Sequence, residues 1–410
     1  MNDRPRFLSV FYAGERVAEI TERRGELRAT YLTAAFDRWP LGSPVLSCSL
    51  PLRTGAVDAT SFLDGLLPES PHRAELAARA DVAASDTFGL LARYGREIAG
   101  ALVIAGKGEL PPHHGGVIDL DDDALAEEVA ALPERPLGIH DDSELSLAGV
   151  QDKMLLVARD NGGWARPTGA TPSTHILKLD HHRYPGLVAA EAVGLALARA
   201  AELSTIDAQL VTTGGIDCLI IERFDRVRHS DGTVTRLHQE DMCQATGRPA
   251  ARKYEVRQGG GGPAFRDVAE LLDRWSGDPL RELDRLAGVA AFTAVIGNAD
   301  AHGKNLAVIH TDDMHVTLAP LYDQVPTALW PSLVTDAAMS IGGTVTLTAV
   351  DATAIAREAR SWHHDPDRAV AAATAAIEAV VAAIDGGVID TDSNVAKLVR
   401  RRAQTFLASA

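Results

Sequence analysis

Hydrophobic and polar residues alternate over 6–12, Gly14 marks a turn, and a second short alternation at 16–20 follows, so the chain opens with two strands. A segment punctuated by Pro and Gly runs on to about 50. Helical periodicity covers 59–82 and 86–95, and the apolar run 101–105 closes this part as a strand. GKGELPPHHGG (106–116) reads as a linker, and 121–132 as an acidic surface helix. From about 143 the pattern changes. Strands at 145–148, 153–158 and 174–179 precede a long amphipathic helix over 187–202. Two further strands, 207–212 and 218–224, are joined by Gly214 and Gly215 and read as a hairpin. Residues 265–298 are helical, 306–309 and 315–318 form a second hairpin, and 350–408 hold three Ala-rich helical patterns. The glycine run 259–262 is expected to be a mobile loop.

This order gives an α+β class with three parts: a small N-terminal α/β subdomain over 1–106, a β-rich lobe over 143–255 and an all-helical lobe over 256–410. With 410 residues, 46% of them hydrophobic, the chain can bury a real core. Its formal net charge of -16 disfavours unaided nucleic-acid binding, and Arg400, Arg401 and Arg402 read better as helix-end charges than as a DNA patch. Cys48, Cys218 and Cys243 are far apart and show no CxxC spacing, which fits a reducing cytoplasm. The first apolar run is too short for a signal sequence. The Ala-rich stretch 369–384 contains Glu378 and reads as a packed helix, so no membrane association is expected.

The chemistry concentrates in GNADAHGKNLAVI (297–309), which carries Asp300, His302, Lys304 and Asn305 between an apolar helix and an apolar strand. Asp323 follows in PLYDQV (320–325), just after the next strand. Phosphoryl transfer needs one carboxylate to take or orient a hydroxyl proton, and an oxygen ligand with a second carboxylate to hold magnesium against the phosphates. Asp300, Asn305 and Asp323 supply that set. The Asp-to-Asn spacing matches the HRDxxxxN loop of protein kinases, though the upstream His-Arg and a DFG sequence are absent. A plain polar turn would use the same residue types. Lys178, closing THILK (174–178), reads either as a phosphate-holding lysine or as an edge-strand lysine that discourages aggregation. Glu191 on the following helix reads as its partner or as a surface charge. LIIERFDR (219–226) reads as a hinge offered to an adenine ring or as a strand end with an Asp225–Arg226 ion pair. ELSLAGVQDK (144–153) offers small residues for close approach to phosphate, or an ordinary turn.

Taken together, SLAGVQDK (146–153), PSTHILKL (172–179), ERFDR (222–226), HQEDMCQATGRPAARKYE (238–255), DAHGKN (300–305) and PLYD (320–323) resemble the HipA family of toxin kinases, in order and spacing. FLDGLLPES (62–70) and FGLLARYGREIAGALVI (88–104) are similar to that family's small first domain. The resemblance implies a bilobal, protein-kinase-like fold and an ATP- and Mg²⁺-dependent serine/threonine kinase. It implies Asp300 as catalytic base, and Asn305 and Asp323 as magnesium ligands. ATP would be held by Lys178, His302, Glu222, Phe224 and a phosphate loop of Ala148, Gly149 and Val150. Ser146 would be an autophosphorylation site that switches the kinase off by charge repulsion. The implied target is a translation component such as an aminoacyl-tRNA synthetase. The implied partner is a HipB-like helix-turn-helix antitoxin that carries most of the contact with operator DNA. Two alternatives use overlapping residues: a small-molecule phosphotransferase, and an inactive subunit of a repressor complex.

Overall fold

The computed structural model describes residues 6–109, 115–135, 140, 151–181, 183–257 and 259–410. Ser146, Ala148, Gly149 and Val150, with the strand expected at 145–148, lie outside them. The chain divides into two compact units, Met1–Leu179 with Val211–Glu240, and Asp180–Leu210 with Asp241–Ala410.

The first unit contains a five-stranded antiparallel sheet and most of a six-stranded one. The expected strands appear as Arg6–Tyr12 and Glu15–Arg23, joined by a third, Glu26–Tyr31, that the alternation did not announce. The helix expected over 59–82 is broken into Thr60–Gly65 and His72–Arg79, because Pro68 and Pro71 cannot donate to an unbroken ladder. The linker reading of 106–116 ends early: Gly116–Leu120 is a strand paired antiparallel with Trp164–Thr168. The acidic helix is present as Asp122–Ala131, N-capped by Asp121. Its aspartates face solvent, while Leu125 and Val129, with Leu132 beyond its end, pack onto Met154, Leu156, Leu177, Leu179, Cys218 and Ile220. Nine such buried side chains make this the core on which the sheet rests.

Strand alternation fixes what the opposite face of that sheet carries. Lys178 lies between Leu177 and Leu179, so it points away from the helix-covered core. Its strand, His175–Leu179, is flanked on both sides, by Lys153–Ala158 and by Ile216–Glu222. Lys178 is therefore a buried residue of an interior strand, and the edge-strand reading is excluded. Directly across from it sits a second buried lysine, Lys153. Paired positions in an antiparallel ladder project to the same face, about 5 Å apart at Cβ.

Beside this sheet lies a buried ionic cluster. Glu97, fully inaccessible, meets Arg223 at 3.1 Å, Arg226 at 2.9 Å and Arg236 at 2.6 Å. Asp225 pairs with Arg223 at 2.8 Å and Arg226 at 2.9 Å, and accepts the backbone N–H of Gly100. The ion pair anticipated between Asp225 and Arg226 is thus part of a larger network.

The second unit holds the helices Leu187–Ala200, Phe265–Trp275, Pro279–Ile296, Ala352–Ser361, Pro366–Asp385 and Asn394–Leu407. The three Ala-rich patterns of 350–408 are the last three. The unit is not purely helical: it also carries the hairpins Ala307–His310 with Val316–Leu318 and Asp336–Ile341 with Thr344–Thr346. Arg400 pairs with Asp385 and Arg402 donates to the carbonyl of Ala294 near a helix end, which is the helix-end role read for these arginines. Among the described residues no helix is long and apolar enough to cross a membrane. Cys48, Cys218 and Cys243 are buried thiols.

Candidate active site

Helix Pro279–Ile296 is N-capped by Asp278 and ends at Gly297, whose φ of 74° gives a left-handed C-cap and turns the chain into the polar loop 298–305. The loop is then pinned residue by residue. Asn298, almost wholly buried, accepts the N–H of Asp300 on Oδ1 at 3.1 Å and donates from Nδ2 to the carbonyl of Asp323 at 3.4 Å. One amide side chain thereby ties together the backbones of both candidate acids. The N–H of Ala299 donates to Thr327 Oγ1. Asn305 donates from Nδ2 to the carbonyl of Asp300 at 3.1 Å, which leaves its Oδ1 as the atom able to meet a cation.

Gly303 has a steric reason. A Cβ there would come within 2.6 Å of Pro263 Cγ and 3.2 Å of Cys243 Sγ. Its N–H donates to Lys253 and its carbonyl accepts from Met242. Lys304 forms a buried 2.7 Å ion pair with Asp241, which also caps helix Met242–Ala245 in a capping box with Gln244. This pair ties QEDMCQ (239–244) to DAHGKN (300–305).

Asp323 sits at φ 57°, in the left-handed region that aspartate tolerates better than most residues. The segment leading to it is held by Ser204, whose Oγ donates to Leu321, and by Arg285, which donates to Leu318 and Ala319. Helix Leu187–Ala200 touches it at backbone level. A Cβ on Gly194 would lie 1.8 Å from the carbonyl oxygen of Gln324, so only glycine permits this packing. One turn before Gly194, Glu191 is completely buried, contrary to its reading as a surface charge.

The electrostatics follow from this crowding. Burial pushes the Asp300 carboxyl above the usual range, the nearby charge of Asp323 adds to the rise, and the hydrogen bond from Tyr254 opposes it. Burial, then the charge of Lys253, pushes His302 well below its ordinary value, so its imidazole is neutral at pH 7. Asp300, Asp323 and the Asn305 amide oxygen are oxygen donors of the kind that could hold a hard divalent cation.

Of the residues named from the sequence, the second unit brings together Asp300, His302, Asn305 and Asp323. Lys178, Glu222 and Phe224 lie in the first unit, Lys178 buried, Glu222 exposed and Phe224 half-buried. Reading the sequence missed Lys153, Asn298, Tyr254 and the Asp241–Lys304 pair. Each stood inside a quoted motif, but only strand register or long-range packing gives it a role.

An α+β fold with an Asp/Asn/Asp set on a helix-to-strand loop and on the segment after the following hairpin defines a kinase-like protein. The chain matches the HipA-like C-terminal domain over residues 145–385 and the HipA N-terminal domain over 8–105. It is 39% identical over 357 residues to the putative kinase Y4mE of Sinorhizobium fredii, covering 85% of this chain and 83% of that protein. It is 32% identical over 317 residues to the serine/threonine-protein kinase toxin HipA of Shewanella oneidensis, covering 74% and 71%. A solved structure of Shewanella oneidensis HipA with HipB and operator DNA superposes with a TM-score of 0.81 at 25% identity, over 98% of this chain and 96% of that one. The chain belongs to the HipA family of kinases.

Proposed function

We propose that this chain is an ATP- and Mg²⁺-dependent serine/threonine protein kinase and the toxin of a toxin–antitoxin pair. The observation that carries this reading is the loop 298–305 itself, with Asp300, the Asn305 amide and the backbone of Asp323 fixed by Asn298 and Asn305. Asp300 takes the proton of an acceptor hydroxyl as its oxygen bonds to the γ-phosphorus and the bond to the β-phosphate oxygen breaks, releasing ADP. Asn305 and Asp323 are the oxygen donors for magnesium, which when bound neutralises charge on the phosphates. Lys178, with Glu222, Phe224 and 148–150, serves the nucleotide. His302, being neutral, acts there as a hydrogen-bonding group and not as a cation.

The family resemblance supports Ser146 as the autophosphorylation site and a translation component, such as an aminoacyl-tRNA synthetase, as target. A HipB-like antitoxin as partner is supported by the Shewanella oneidensis assembly, and the acidic charge of this chain fits DNA contact being left mainly to that partner.

The test is Asp323→Asn, assayed for transfer from ATP to casein at fixed Mg²⁺. Loss of a carboxylate ligand is expected to lower transfer roughly a hundredfold or more, because metal charge stabilisation is worth several kcal/mol. Raised Mg²⁺ should recover part of the loss. Wild-type transfer by the variant at the same Mg²⁺ would sink the metal assignment. ATP consumption with phosphate found only on an added small molecule would favour the phosphotransferase reading.

A further inference from the structure

The candidate base is held by more than its own loop. Tyr254 donates its hydroxyl to Asp300 Oδ1 at 2.9 Å. Among the described residues no hydrogen bond reaches Asp300 Oδ2. The Asp300 N–H and C=O are taken by Asn298 and Asn305, so backbone and one carboxylate oxygen are fixed while the second oxygen is left for an acceptor.

Tyr254 is itself braced from several directions. Its ring stands edge-on to His302, with centroids 5.1 Å apart. The Arg257 guanidinium lies 5.0 Å over the ring and also donates to the carbonyl of Ala299, next to Asp300. The carbonyl of Lys253 accepts from Gly303 on the loop. Glu255 holds Ser340 through both its N–H and its hydroxyl, and donates its own N–H to Ala338. The glycine run forms a hydrogen-bonded turn: Gly259, Gly260 and Gly261 all have positive φ, and the N–H groups of Gly261 and Gly262 return to the carbonyls of Glu255 and Tyr254. A Cβ at Gly262 would lie 2.6 Å from the Tyr254 carbonyl oxygen, so the turn closes only with glycine. A tyrosine anchored by so many contacts serves a fixed position.

We infer that Tyr254 is a positioning residue for phosphoryl transfer: its hydroxyl holds one oxygen of Asp300 so that the other meets the acceptor hydroxyl. This rests on Asp300 being the catalytic base. The hydroxyl makes no bond to phosphorus and carries no proton through the reaction. It restricts rotation of the Asp300 carboxylate, and orientation of this kind governs the rate of the transfer step more than nucleotide affinity.

The full-length chain is assayed as wild type, Tyr254→Phe and Asp300→Asn, with Mg-ATP and casein as acceptor, for kcat, for KM of ATP and for melting temperature. Tyr254→Phe removes one oxygen atom. It is expected to lower kcat roughly tenfold or more, below the whole contribution of a general base, with KM for ATP and the melting temperature unchanged. Wild-type kcat in Tyr254→Phe alongside an inactive Asp300→Asn overturns the inference alone. Activity retained by Asp300→Asn overturns the assignment of the base and this inference with it. A raised kcat would make Tyr254 a block on the site, and phosphotyrosine at 254 in the wild type would make it an acceptor; either result overturns the positioning role. If Tyr254→Phe melts early, Arg257→Ala decides, since it loosens the ring and keeps the hydroxyl: a lowered kcat at unchanged KM is expected, and an unchanged kcat overturns the inference.

Discussion

Asp300→Asn is expected to fold as well as the wild type and to lose phosphoryl transfer by roughly 10²- to 10⁴-fold, the range that general-base catalysis supplies. The replacement is nearly isosteric, and the amide oxygen can still accept from Tyr254. The backbone ties to Asn298 and Asn305 do not involve the side chain and survive. Stability has a definite sign. Burial, then Asp323, raises the Asp300 carboxyl in the folded state, so the folded chain holds that proton more tightly than the unfolded chain does. Ionisation therefore costs stability as pH rises from the unfolded value near 4 through the raised folded value. A neutral amide removes it, so the variant's melting temperature should match or slightly exceed that of the wild type. A fall in activity with a fall in melting temperature would point to misfolding instead. This opposition of stability and activity is what a functional carboxylate in a crowded site produces.

Glu97→Ala is the second large effect, and it concerns stability. Glu97, fully buried, meets three arginines, and Ser173 also donates to it through its N–H and hydroxyl. Its removal leaves Arg223 and Arg226 with Asp225 as acidic partner, while Arg236 loses its ion pair and keeps its hydrogen bonds to the carbonyls of Arg96 and Ala170. Breaking a buried pair by deleting one partner costs about 3–5 kcal/mol, a large share of the stability of most domains. Chemical denaturation of the two proteins measures it, and a change below about 1 kcal/mol would show that the arginines find other partners. The same cluster sets the acid limit. Burial pushes Glu97 and Asp225 upward, but their arginines overbalance it and hold both carboxyls below the ordinary range. Depressed values mean that this stabilisation is complete above the unfolded pKa near 4 and drains away as pH falls below it. The wild type should therefore lose stability steeply below about pH 4, and Glu97→Ala should show a shallower slope there.

What could be read along the chain was whatever is local. The five-residue step from Asp300 to Asn305, the helix before it and the hairpin after it are short-range patterns, and the structure has them in place. Periodicity found the strand Arg6–Tyr12 and the three C-terminal helices for the same reason. It failed where sequence distance is long. Tyr254 stands 46 residues from Asp300, Asp241 63 from Lys304, and Glu97 126 from Arg223. No spacing rule joins such pairs. Lys178 remained open because an interior strand and an edge strand share one alternation, and only pairing with both neighbours decides between them. Glu191 looked like a surface charge because a single glutamate in an Ala-rich helix does not say which side of the helix is covered. The glycine run suggested a loop by composition, but not that the N–H groups of Gly261 and Gly262 return to the carbonyls of Glu255 and Tyr254.

The most direct measurement is peptide mass mapping of the wild type and Asp300→Asn after incubation with Mg-ATP. Phosphate on Ser146 in the wild type and nowhere in the variant is the predicted result, and it would establish transfer through Asp300 to a serine hydroxyl of the chain itself. Equal phosphate in both proteins would contradict the account, because transfer would then proceed without the carboxylate on which the proposed chemistry depends.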